Sequence, residues 1–226
     1  MTTLDAPAGP TIDCARLPAF DESSLDAVRR AFGSATAVSM RQAWRDRPEP
    51  AFAPSAVRTG WRDRSVFVFA ELADADIFTD ATDHNQRLCE IGDAFEMFFC
   101  PDGQEAYAEF HVAPNNLQLQ LHFPDWGWRG RVSKDDAVLK ALMPRHSFQS
   151  RTWIDAGAHL WSVVAEIPVA AVCGHARPLA GDAWRFSFCR YDHTRGGASP
   201  VISSTSPHPV PAFHRPQEWG LIRFRG

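Results

Sequence analysis

The sequence predicts an all-β fold, an antiparallel β-sandwich with one or two short helices, and three observations carry that reading. Apolar and β-branched residues gather in short runs, Gly, Pro and Asp break those runs roughly every ten residues, and several runs alternate polar with apolar side chains. With 226 residues, 45% of them hydrophobic and 22% charged, the chain has the length and balance to bury one substantial core.

The elements follow in order. Residues 1–24 are rich in Pro, Ala and small polar residues, after which Ser24 caps a short helix over 25–32 whose apolar residues recur at three- and four-residue spacing. An N-terminal extension over 1–33 therefore precedes a sandwich over 34–226. The clearest strand spans 65–72. A second run, 94–100, meets the turn Pro101-Asp102-Gly103 and is followed by 105–112, which reads as a hairpin. In its second strand the two-residue period puts Glu105, Tyr107, Glu109 and His111 on one face, and Ala106, Ala108, Phe110 and Val112 on the other. The first face is expected to be polar and the second to be core. Residues 117–122 alternate as cleanly and continue the meander, with Gln118, Gln120 and His122 sharing a face. Further strands are expected over 147–154, 160–167, 184–191 and 220–225, with a helical turn over 168–172 opened by Pro168. The stretch 192–218, heavy in Ser, Pro and His, is expected to run over the surface.

Several function classes are disfavoured at once. The net charge of −4 is spread along the chain without a basic stripe, which argues against nucleic acid as a partner. No run of about 18 apolar residues occurs and the first residues carry no basic-then-apolar leader, so no membrane partner and a cytoplasmic location are expected. Five cysteines, an odd number without CxxC spacing, read as free thiols and argue against a disulfide framework or a structural zinc site. The nine histidines show no paired spacing on one element, which argues against a catalytic zinc. Nucleophile-elbow, P-loop and dinucleotide-binding patterns are missing from the sequence.

Seven segments taken together have a more specific meaning. They are Arg62-Asp-Arg-Ser-Val-Phe-Val-Phe69, Leu72-Ala-Asp-Ala-Asp-Ile77, Gly92-Asp-Ala-Phe-Glu-Met-Phe-Phe99, Tyr107-Ala-Glu-Phe-His-Val-Ala-Pro114, Trp161-Ser-Val-Val-Ala-Glu-Ile-Pro168, Gly181-Asp-Ala-Trp-Arg-Phe-Ser-Phe-Cys-Arg190 and Phe213-His-Arg-Pro-Gln-Glu-Trp-Gly-Leu-Ile-Arg-Phe224. In this order and spacing, from about residue 34 onward, they resemble the carbohydrate-binding modules of family 9, which share a jelly-roll, DOMON-like β-sandwich. The resemblance implies non-catalytic binding of a glucan- or xylan-type sugar, held between two tryptophan faces with a carboxylate on its hydroxyls. Glu96 matches that carboxylate. Glu90 stands where the first tryptophan is expected and Thr205 where the second falls.

Trp126 and Trp128, in a Gly- and Asp-flanked segment, are candidates to replace that aromatic surface, or else they pack the loop onto the sandwich. Glu109, His111 and Arg190 complete the candidate ligand set. Glu96 can equally be a structural acid paired with Arg190, and the face of Glu109 and His111 can equally be a solvated one. Asp74 and Asp76, in an acidic loop with Asp80 and Asp83, are candidates for the Ca2+ that some relatives hold. Two other readings stay open, a sandwich that has lost sugar binding and serves as an interaction domain, and a small glycoside hydrolase using Glu96 and Glu109. Hydrolysis would need the two carboxylates about 5 or about 6.5–9.5 Å apart across a cleft. Relatives carry xylanase labels because the module travels with catalytic domains, and no such domain fits in this chain.

Overall fold

The structure, a computed structural model, describes residues 8–226. β1 (Thr11–Arg16) leads through α1 (Leu25–Ala31) to β2 (Ala37–Ser39), β3 (Ser55–Arg62) and β4 (Ser65–Ala73). The expected hairpin follows as β5 (Ala94–Pro101) and β6 (Tyr107–Val112), and β7 (Gln118–Phe123) extends it. Beyond α2 (Lys134–Ala141) come β8 (Gln149–Asp155), β9 (Leu160–Pro168), α3 (Val169–Cys173), β10 (Ala183–Asp192), β11 (Val201–Ser204) and β12 (Gly220–Phe224). The fold is the mostly antiparallel β-sandwich that the alternating runs predict.

One half of the sandwich runs β7-β6-β5-β10-β12 and the other β3-β4-β9-β8, and β1 joins them. Thr11 to Cys14 pair in parallel with Leu221 to Phe224, after which Ala15 and Arg16 pair in parallel with Gly60 and Trp61. The stretch 1–24 thus contains, in its described part, the strand that links the sheets. Its sequence signal is faint because only Ile12 and Cys14 are buried within it. The next residue, Leu17, lies where a side chain on Gly60 would start, 2.4 Å from that Cβ position, so only glycine admits it.

Between the sheets, Val66, Val68, Ala70 and Leu72 of β4 meet Phe95, Met97 and Phe99 of β5, with Trp161, Trp184 and Phe188. On the reverse of β4, Phe67 and Phe69 pack against Val28 of α1 and Phe32 at its end. Ser24 caps this helix as expected, its Oγ accepting from the Ala27 N–H at 3.3 Å. α2 has the same device, Ser133 Oγ accepting from the Asp136 N–H at 3.1 Å, a signal the sequence reading did not take up.

The stretch 192–218 departs from its expected surface course. β11 pairs with β10, and its Ser203 and Ser204, with Thr205, Ser206 and His208 beyond it, are buried. Small hydroxyl side chains make this feasible by satisfying one another. Ser206 Oγ donates to Ser187 Oγ at 2.8 Å, Ser187 and Ser204 lie 3.1 Å apart, and the Ser206 N–H donates to Ser204 Oγ at 3.0 Å.

One buried cation ties the two sheets together. Arg190 pairs with Phe95 across β10 and β5 and so points into the core. Its guanidinium donates to Ser55 Oγ of β3 (3.0 Å) and to the Ala73 carbonyl at the end of β4 (2.5 Å), and it pairs with Asp74 (2.9 Å) and Asp192 (3.2 Å). Asp93 lies beside this group, its carboxylate accepting from the N–H groups of Phe78 and His193, both at 2.7 Å. Burial pushes Asp93 up to about 8 and Asp192 up to about 6, with Arg190 pulling the other way. Among the described residues, no helix is long and apolar enough to cross a membrane.

Replacing Arg190 by Met keeps bulk but strips the acids of their counter-charge. Such a change is expected to cost about 3–5 kcal/mol in urea unfolding at pH 7. The loss should shrink at pH 5, below the value of about 6 to which burial lifts Asp192, where that acid accepts a proton and no longer needs the counter-charge, and equal losses at both pH values would refute the clamp.

Candidate ligand-binding site

The site lies on the face of β5, β6, β7 and β10 that points away from the main core. Register places Glu96 opposite His111 on one side and Cys189 on the other, with His111 opposite Leu119, Glu109 opposite Leu121, and Tyr107 opposite Phe123. The expectation of a solvated face is corrected here: Glu96 and Glu109 are each 3% exposed and His111 2%. A second apolar layer covers them, in which Phe98, Tyr107, Leu119, Leu121 and Phe123 meet Phe213 and Trp219 from the segment before β12.

The polar faces of neighbouring strands also turn out to be opposite ones. On β7 the leucines line the site, whereas Gln118 and Gln120 lie on the core side and donate to Ser150 Oγ (2.7 Å) and Asn85 Oδ1 (2.5 Å). Alternation identifies two faces but not which is covered by what.

A cavity of about 310 Å³ opens here, walled by Leu119, Leu121, Tyr191 and Phe213 and floored by Cys89, Glu96, Glu109 and His111, with Arg129 and His214 beside them. A chain of charged groups crosses it. His111 lies between two carboxylates, Nε2 at 2.5 Å from Glu109 Oε1 and Nδ1 at 3.2 Å from Glu96 Oε1. Glu109 Oε2 is 3.6 Å from His214 Nε2, which accepts from Arg129, so the remaining His214 nitrogen, Nδ1, donates to Tyr107 Oη at 2.9 Å.

Burial and the Arg129 charge push His214 down to about 4, against the pull of Glu109. Burial also opposes a charge on His111, but the two glutamates outweigh it and its pKa is raised. Burial lifts Glu96 to about 7 despite His111, with the Glu109 charge adding to the rise. Glu109 itself is held low, because His214 and His111 together overcome its burial.

Of the candidates drawn from sequence, Glu96, Glu109 and His111 come together on the cavity floor and Glu90 sits at its rim, bridged to Lys134 (3.3 Å) and Arg87 (3.4 Å). Arg190 lies on the other face of the sheet, so its expected pairing with Glu96 is corrected to Asp74 and Asp192. Thr205 is turned to the backbone, its Oγ1 accepting from the Phe188 N–H at 3.0 Å and its own N–H donating to the Phe188 carbonyl at 2.9 Å.

Neither loop tryptophan lines the cavity. Trp126 lies under the Arg185 guanidinium, 6.0 Å from the ring centroid, and Trp128 packs edge-on against Phe123. Asp74 and Asp76 do not fit calcium, because both carboxylates are already engaged. Asp74 accepts from Arg190 and from the Asp76 N–H (2.8 Å), and Asp76 accepts from the side chain and backbone N–H of Arg195. Nor do Glu96 and Glu109 face each other across an open cleft, since both contact the same imidazole.

The sequence reading missed Cys89, Arg129, Tyr191, Phe213 and His214. Phe213 and His214 open the last of the seven family-like segments, which was the available signal.

No protein-family model matches the sequence, and no curated protein matches it. Solved structures do share its architecture. A candidate carbohydrate-binding protein of Bacteroides uniformis superposes with a TM-score of 0.73 at 19% identity, over 96% of this chain and 100% of its own. A family 9 carbohydrate-binding module from Caldicellulosiruptor kristjanssonii, solved with cellotriose, gives 0.65 at 16% identity over 96% of this chain and 94% of its own. A glucose complex of a family 9 module from the same organism gives 0.63 at 16% identity over 96% of each chain. The fold of this chain is that of the family 9 modules.

The depressed pKa of His214 makes a pH prediction. Between its ordinary value of 6.5 and about 4 the unfolded chain binds a proton that the folded one refuses, so this group costs stability as pH falls through that window. Wild-type protein is expected to lose about 1–2 kcal/mol more than a His214→Phe variant between pH 7 and pH 5, the side chain being partly exposed. Parallel pH dependence of the two urea midpoints would refute this.

Proposed function

We propose that the protein is a non-catalytic carbohydrate binder that takes the end of a glucan- or xylan-type sugar into the cavity over Glu96, Glu109 and His111. The observation that carries this reading is the pairing of an apolar wall, Tyr191, Phe213, Leu119 and Leu121, with a buried carboxylate oxygen, Glu109 Oε2, that has no hydrogen-bond partner. A pyranose offers matching chemistry, an apolar C–H face for the rings and hydroxyl donors for the acid. The shared fold with modules solved in complex with glucose and cellotriose supports the same class of ligand.

The positions of the expected tryptophans, Glu90 and Thr205, favour a second reading, an interaction domain that has given up sugar binding. Calorimetry separates the two. Glucose, xylose, cellobiose, xylobiose and longer oligomers are titrated into chelator-treated protein, and again with calcium added. At least one is expected to bind saturably, with a loss of roughly 10- to 100-fold in Glu109→Gln, the cost of a charge-assisted hydrogen bond. Silence across the panel would support the interaction domain.

A further inference from the structure

We propose that Cys89, Glu96 and His111 form a binding site for a thiophilic divalent cation such as Zn2+ on the cavity floor. The three residues come from different elements, the single turn Leu88–Glu90, β5 and β6, and one ligand atom of each lies within 4.8 Å of those of the other two. A thiolate, an imidazole and a carboxylate are the donor set that suits Zn2+, and they suit Ca2+ or Mg2+ poorly.

The surrounding hydrogen bonds favour a cation here. Glu109 Oε1 sits 2.5 Å from His111 Nε2, the carboxylate–histidine arrangement that fixes a metal-binding ring with its proton on the far nitrogen. The lone pair then belongs to Nδ1. That atom is buried, lacks a hydrogen-bond partner and faces the Glu96 carboxylate at 3.2 Å. Beside the Cys89 thiol, Nδ1 and the Glu96 carboxyl group have only a shared proton between them, and a cation bound by all three takes that proton's place.

Charge and protons balance. The Cys89 thiol gives up its proton to bulk water as the sulfur–metal bond forms, as does any proton shared by His111 and Glu96. Thiolate, carboxylate and dication then sum to zero, which lowers the cost of burial. With three protein ligands that all line the cavity, the fourth coordination position opens into it, as in zinc sites that exchange a ligand. Among the described residues, the other cluster with ligand-like spacing, Asp74, Asp93 and Asp192, already contains the Arg190 guanidinium.

The metal is held by protein groups alone, so this proposal does not rest on the sugar reading, and either can fail without the other. Reduced, chelator-treated full-length protein is titrated with ZnCl2 by calorimetry and with CoCl2 by absorption. One equivalent of each is expected to bind, with a thiolate-to-cobalt charge-transfer band that disappears in Cys89→Ser and persists in Cys173→Ser. Glu109→Gln should weaken Zn2+ by about 10- to 100-fold while leaving the band in place at saturation. Should Cys89→Ser not fold, as judged by circular dichroism, wild-type protein still gives an answer, because Zn2+ should protect Cys89 from alkylation mapped by mass spectrometry. Absence of stoichiometric binding, a band that survives Cys89→Ser, or alkylation of Cys89 unaffected by Zn2+ would each overturn the proposal.

Discussion

The Arg190 guanidinium is the constraint on which the rest of the arrangement depends. A buried charge must be met from every side, and here the partners come from both sheets: Ser55 and the end of β4 on one, Asp192 on the other. Meeting them requires β10 to turn Arg190 and Phe188 inward. By the two-residue period Cys189 and Tyr191 then turn outward, and the ladder with β5 carries that parity to Glu96 and on to Glu109 and His111. A slip of one residue would place three ionisable groups in the main core and expose Phe95, Met97 and Phe99. The clamp on one face of the sheet thereby positions the cavity on the other.

That cavity is polar in a particular way. Glu96, His111, Glu109 and His214 alternate acid with base, so a base separates the two carboxylates, and Arg129 ends the chain by donating to a His214 that burial keeps neutral. The alternation limits the penalty of burial, and the aromatic cover of Tyr107, Phe213 and Trp219 keeps bulk water from screening it. It also explains why the two glutamates differ. Glu109 has a base on either side and stays charged, whereas Glu96 has His111 alone and tends to hold a proton.

Much of the fold was legible because it rests on local alternation: β4, the β5–β6 hairpin, β9, β10 and β12 all announce themselves, as does the Ser24 cap. What stayed hidden depends on pairing at a distance. β1 is six residues with two buried side chains, and its partners are β12 and β3. β11 and the hydroxyl cluster behind it have the composition of a loop, and only the neighbouring Ser187 shows that they belong inside. Alternation put Glu109 and His111 on one face and the family likeness added Glu96, and the three side chains lie together in the structure. Their burial was not foreseeable, because a strand's sequence does not say what lies over its second face. Trp126 and Trp128 follow the second of the two readings their sequence left open, packing the loop onto the sandwich through Arg185 and Phe123.

The placement of β1 also bears on how the protein is made. Its parallel partner β12 is separated from it by nearly the whole chain, so the seam between the half-sheets closes only after both have formed. Such long-range closure is slow relative to hairpin formation, and until it happens β10 and β3 each present a strand edge that β12 and β1 will later cover. During synthesis β1 is made long before β12 and is therefore late to find its place, and the interval before it docks is when the molecule is most exposed to pairing with other chains.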